Sequence, residues 1–194
     1  MFLQSLRHAG MFRPVDGYFA RAIMPARIGR ALADRAFVRP LADALSQDAL
    51  GRVTAFDIQD DPGGEPIALD IHMSLVTEAP WALDRVAEVL EALDAPAGSW
   101  VGNAECAEIR QFGRSHGLGL YLDATEAPGE VSLEIAEACA EELDGAGLYQ
   151  GSAHLGDRTA LYFYGDSFNR MRAALSYVLS TDPRCRSAYA RRLN

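Results

Sequence analysis

Ile67, Leu69, Ile71, Met73 and Leu75 alternate with Ala68, Asp70, His72, Ser74 and Val76, and no other stretch constrains the fold as strongly. A period of two puts each set on one face of an extended strand, so this stretch belongs to a sheet with one buried face. Val53 to Gln59 reads as its partner strand, joined through the Asp-Asp-Pro-Gly-Gly turn at 60 to 64. Pro80 then opens a helix whose Trp81, Val86, Val89, Leu90 and Leu93 share one stripe, closed near Pro96 and Gly98.

The second half shows the same grammar more completely. Gly117 to Asp123 is a strand with Leu118, Leu120 and Leu122 on one face, and a helix follows from Glu130 to Asp144. Strands over 148 to 155 and 159 to 165 flank a Gly156-Asp157 hairpin turn. A helix from Ser167 to Ser180 stops before Pro183, and Ser187 to Leu193 forms a last strand. The order β-α-β-β-α-β predicts an α+β fold, an antiparallel sheet with helices on one face, in the ferredoxin-like arrangement. The ββα segment over 53 to 108 is read as half of a related unit, joined to the ferredoxin-like half over 109 to 194 in one α+β body. Residues 1 to 52 lack alternation, are Ala-rich and are broken by Pro25 and Pro40, which predicts a helical arm on that body.

A chain of 194 residues can hide roughly 70% of its unfolded surface, so neither metal nor disulfide is needed to fold it. Cys106, Cys139 and Cys185 are far apart and show no C-x-x-C spacing, and the histidines His8, His72, His116 and His154 form no ligand pair. No cofactor and no metal are therefore expected. The first fourteen residues lack a continuous apolar run, and no stretch approaches the roughly 20 apolar residues of a membrane helix. A cytoplasmic protein with reduced thiols is expected.

The net charge of −9 is unevenly distributed. Residues 1 to 52 carry eight Arg against four Asp, residues 53 to 157 carry three Arg against twenty-one acids, and residues 158 to 194 carry seven Arg against two Asp. Such a field opposes nucleic acid and anionic membrane and favours a basic partner. On the helix after Pro128, Glu130, Glu134, Glu137, Glu141 and Asp144 line one stripe at spacings of four, three, four and three. Like charges so spaced weaken an isolated helix, so the stripe is read either as a solvated face or as a docking surface for a cationic protein. Tyr121 and Asp123 of the neighbouring strand are the remaining candidate contacts.

Catalytic motifs are missing: there is no G-x-S-x-G, no phosphate-binding lysine loop and no dinucleotide fingerprint. A nucleophilic Cys106–His116 pair is outweighed by the reading of the cysteine as buried or structural. Tyr162 and Tyr164 could stack bases on a sheet face, but they lie in an acidic field and are read as packing against the N-terminal half. A non-enzyme is expected. Two alternatives stand beside a protein-binding role: a small-molecule sensor, since paired ferredoxin-like units place ligands between them, and a hydrolase whose active site is assembled only in three dimensions.

Three markers carry a family resemblance: Gly-Leu-x-x-Tyr-Leu at 117 to 122, Leu-Tyr-Phe-Tyr-Gly at 161 to 165 and Pro-x-Cys at 183 to 185. From Ile109 to Leu193 the chain resembles the polymorphic-toxin immunity proteins known as immunity protein 51. The resemblance implies a cytosolic antitoxin that occludes a cognate secreted toxin, with interbacterial competition as its setting.

Overall fold

The computed structural model describes residues 17–103 and 108–194. Each half builds its own antiparallel sheet. The first half runs β1 (Tyr18–Met24), α1 (Arg30–Ala33), a π-wound segment (Asp34–Val38), α2 (Arg39–Gln47), β2 (Gly51–Asp60), β3 (Pro66–Leu75), α3 (Pro80–Ala92), β4 (Ser99–Asn103) and β5 (Ile109–Phe112). The second runs β6 (His116–Asp123), α4 (Gly129–Leu143), β7 (Leu148–Leu155), β8 (Arg158–Gly165), α5 (Phe168–Ala174), α6 (Ser176–Thr181), a short 3₁₀ turn (Pro183–Cys185) and β9 (Tyr189–Arg192).

Strand order is β2-β3-β1-β4-β5 in one sheet and β7-β8-β6-β9 in the other. The first strand of each unit thus lies between its third and fourth, with every pairing antiparallel. This is the ferredoxin-like arrangement expected for the second half. The first half repeats it in full and adds β5 at the edge. The molecule is therefore a tandem pair of ferredoxin-like units, where the sequence had suggested one unit and a half.

The helical-arm reading of residues 1 to 52 is corrected. Residues 1 to 16 lie outside the described residues, and Tyr18–Met24 is a central strand paired to β3 and β4. Its alternation hides behind small residues: Ala20, Ala22 and Met24 are buried, while Phe19 is exposed. Ala22 faces Ile71 and Ala20 faces Met73 across the ladder, so small side chains on β1 leave room for large ones on β3. Helix begins only at Arg30, and α1, the π-wound segment and α2 supply Ala33, Phe37, Val38, Leu41 and Leu45 to the first core.

On α3 the inward stripe is Ala82, Leu83, Val86 and Leu90, and Trp81 instead stands exposed. The second core sets Leu118, Leu120, Leu122, Leu161 and Phe163 of the sheet against Ile135, Cys139 and Leu143 of α4, Met171 of α5, Leu175 at the junction of α5 and α6, and Val178 of α6. Burial raises the Cys139 thiol to about 12 and also raises that of Cys185, so both are packing groups with little thiolate at neutral pH. Cys106 and His8 lie outside the described residues.

Candidate functional site: the seam and cleft between the units

Alternation along β6 and β8 sends Leu118, Leu120 and Leu122 toward the helices and Tyr121, Tyr162 and Tyr164 to the opposite face. That second face is covered by the first unit. Tyr164 Oη accepts from the Arg27 amide at 2.7 Å and lies 3.4 Å from the Pro25 carbonyl, to which it donates. Glu65, at the turn between β2 and β3, reaches in as the central acceptor: Tyr121 Oη donates to its Oε1 at 2.6 Å and Tyr162 Oη at 3.2 Å. Arg27 Nη1 stands 3.1 Å from the same oxygen, and Arg191 Nη2 stands 3.4 Å from Oε2.

The seam is therefore a charged hydrogen-bond network closed around one carboxylate that is only 6% exposed. Burial, followed by the neighbouring Glu65 carboxylate, pushes the Tyr121 and Tyr162 hydroxyls well above the ordinary phenol range. Burial likewise lifts Tyr164 to about 12 against the opposing pull of Arg27. These phenols stay neutral and act as fixed donors. The expectation that Tyr162 and Tyr164 pack on the N-terminal half agrees with this geometry.

Beside the seam opens a cleft of about 300 Å³ walled by both units. The first unit contributes Ala26, Ile28, Phe37 and Leu93, and the second contributes Leu148 and the ring of Tyr164. Polar groups at the cleft are Asp94, Ser115, Gln150 and Asp166. The Ser115 hydroxyl donates to the Asp94 carbonyl at 2.8 Å, fixing the crossing between α3 and β4, where Asp94 takes a left-handed φ of 60°. A concave wall of mixed apolar and polar groups, set between two units, can serve as a small-ligand site, and 300 Å³ is at the lower size limit of such sites.

The residues expected to form a docking surface divide. Glu130, Glu134, Glu137, Glu141 and Asp144 are all exposed along or at the end of α4. Glu134 is engaged by Arg184 Nη1 at 2.7 Å. Asp144 has a left-handed φ of 36° and terminates the helix, a structural role. Tyr121 is corrected: it is 3% exposed, on the sheet face away from α4 and inside the seam, and cannot share a surface with that helix. Asp123 closes the turn after β6, accepting from the Thr125 hydroxyl at 2.6 Å and its amide at 2.9 Å, and these bonds hold its carboxyl below the usual range.

Part of the charge separation seen along the sequence is resolved internally. Arg21 pairs with Asp70, Arg30 with Asp57, Arg27 and Arg191 with Glu65, and Arg184 with Glu134. The arginine-rich ends thus fold onto the acidic middle. Sequence reasoning missed Glu65, Arg27, Asp94 and Asp166, because no local spacing relates residues that meet only when the two units close.

No family model matches the chain, and no curated protein matches it. Among solved structures, it is similar to a protein described as a glycine cleavage system transcriptional repressor, at 11% identity and a TM-score of 0.32, over 90% of this chain and 94% of that one. It is also similar to the regulatory subunit of aspartate kinase from Thermus thermophilus, at 15% identity and a TM-score of 0.28, over 84% and 92% of the two chains. The first two RRM domains of yeast poly(U) binding protein align at 8% identity and a TM-score of 0.27, over 89% and 98%. The fold assignment rests on the strand order given above, and no function is taken from these likenesses.

Proposed function

We propose that this chain is a small-molecule-binding regulatory module whose ligand sits in the cleft between its two ferredoxin-like units. The observation that carries this reading is the joint construction of the cleft: its apolar wall comes from both halves, so an occupant would touch both and favour their closed arrangement. A role in binding rather than catalysis is part of the proposal. Screening metabolites by thermal shift is expected to find at least one that stabilises the chain, by about 2.7 kcal/mol at a hundred times its Kd. Leu148→Trp, which changes an exposed residue at the cleft, is expected to weaken that ligand tenfold or more. Ligand-induced stabilisation that survives Leu148→Trp unchanged would place the ligand elsewhere.

A second reading, an immunity protein that neutralises a cognate basic toxin, is supported by one observation. Glu130, Glu137 and Glu141 are exposed on α4 and, among the described residues, enter no ion pair. An acidic stripe of this kind steers a basic protein and loses that effect in salt. Reversing Glu130, Glu137 and Glu141 to Arg is expected to slow association with the protein encoded by the neighbouring gene by about tenfold at low salt. An unchanged association rate removes this helix from the interface.

A further inference from the structure

We infer that the cleft selects an organic cation: a small amine with an apolar body and no carboxylate. The inference deepens the small-molecule reading and rests on it. Of the described residues that line the cleft, the only charged ones are Asp94 and Asp166. Asp94 belongs to the first unit, after α3, and Asp166 to the second, after β8, so the two acidic residues line the cleft from different units. Among the described residues neither enters an ion pair nor accepts a hydrogen bond on its carboxylate, whereas the nearby arginine is committed elsewhere: Arg27 turns its guanidinium to Glu65 and to the Pro66 carbonyl.

The neutral polar groups reinforce the same choice. The Tyr164 hydroxyl is occupied by the Arg27 amide and the Pro25 carbonyl, and the Ser115 hydroxyl donates to the Asp94 carbonyl. Among the lining side chains, what remains is therefore mostly acceptor: two carboxylates, and the Gln150 amide, which both accepts and donates. An ammonium supplies up to three donors and a positive charge to such a set. Among the described residues of the lining a ligand carboxylate would find no cationic side chain and would face two like charges, within a chain whose net charge is already −9. Ile28, Phe37, Leu93 and Leu148 supply the apolar surface for the rest of the ligand. A space of about 300 Å³ holds roughly ten water-sized groups, which matches a monoamine such as phenethylamine.

The test is calorimetric titration of the full chain, at low ionic strength, with phenethylamine and isoamylamine beside phenylalanine, leucine and 3-phenylpropionate. Each amine is expected to bind at least tenfold more tightly than its amino acid or acid counterpart, and more weakly as salt is raised. The double variant Asp94→Asn with Asp166→Asn is expected to lose tenfold or more for the amines at an unchanged unfolding temperature, because both side chains are exposed and Asn accepts the left-handed φ at 94. Equal or tighter binding of the amino acids or the acid, no binding of either amine, or full amine affinity in the double variant overturns the inference. If a neutral or anionic metabolite then binds in a way that Leu148→Trp abolishes, the small-molecule reading stands without the cation. If nothing in the metabolite screen binds, both fail.

Discussion

Glu65→Ala is expected to lower the free energy of unfolding by about 3–5 kcal/mol, the usual effect of removing one partner from a buried charge network. The side chain is 6% exposed and is the shared acceptor for Tyr121, Tyr162, Arg27 and Arg191. Its loss leaves the Arg27 guanidinium, whose side chain is 14% exposed, without its carboxylate, and leaves two buried phenols without an acceptor. Each unsatisfied group adds a desolvation term of its own. For a chain of this length, such a loss corresponds to a fall in unfolding temperature of roughly 6–20 °C. Glu65→Gln keeps the volume and one acceptor oxygen, so it is expected to lose less than Glu65→Ala. Urea unfolding of both variants measures the difference, and a loss under about 1 kcal/mol for Glu65→Ala would show that the seam is not held by this carboxylate.

Gly113→Ala is the second large effect expected. Gly113 joins the two units just after β5 and has φ of 90°, a region where a side chain is strained by about 1–3 kcal/mol. A Cβ there would also stand 2.0 Å from the Pro96 carbonyl oxygen and 2.8 Å from that of Ala95. Both obstacles are backbone, so the crossing at the cleft has to shift, adding about 1–3 kcal/mol of overpacking. Gly64 provides the internal comparison: its φ of 80° carries similar strain, but an added Cβ would meet nothing within 4 Å. Denaturant unfolding should therefore rank Gly113→Ala as clearly worse than Gly64→Ala. Equal losses would mean that the close approach to Pro96 contributes nothing. Because Pro96 also lines the cleft, Gly113→Ala is expected to weaken any ligand bound there as well.

How far the fold could be read from the residues depended on side-chain size. β3 and β8 were legible because large apolar residues alternate or cluster between clear turns. β1 was not, because its buried positions are Ala20, Ala22 and Met24, and an Ala-rich stretch carries helical propensity that the sheet context overrides. Missing β1 concealed the duplication, since without a first strand the leading half lacks the centre of its sheet. β4 and β5 are four or five residues long and interrupted by polar side chains, too short to show a period.

The site was less legible than the fold. Alternation does set Tyr121 apart from Leu120 and Leu122, but whether that side meets water or protein depends on the other unit. Likewise, part of the acidic middle looked unopposed because its arginine partners are distant along the chain. Arg184 lies fifty residues from Glu134, and Arg191 lies 126 from Glu65.

Hydrogen bonds are directional, whereas an oily contact tolerates sliding. Three donors of the second unit, Tyr121, Tyr162 and Arg191, converge on one carboxylate of the first and admit one angle of approach, so the Glu65 network works as an alignment key for the two halves of the molecule. The spacing between opposing cleft walls, and with it the size of guest they can hold, is set by chemistry outside the cleft itself.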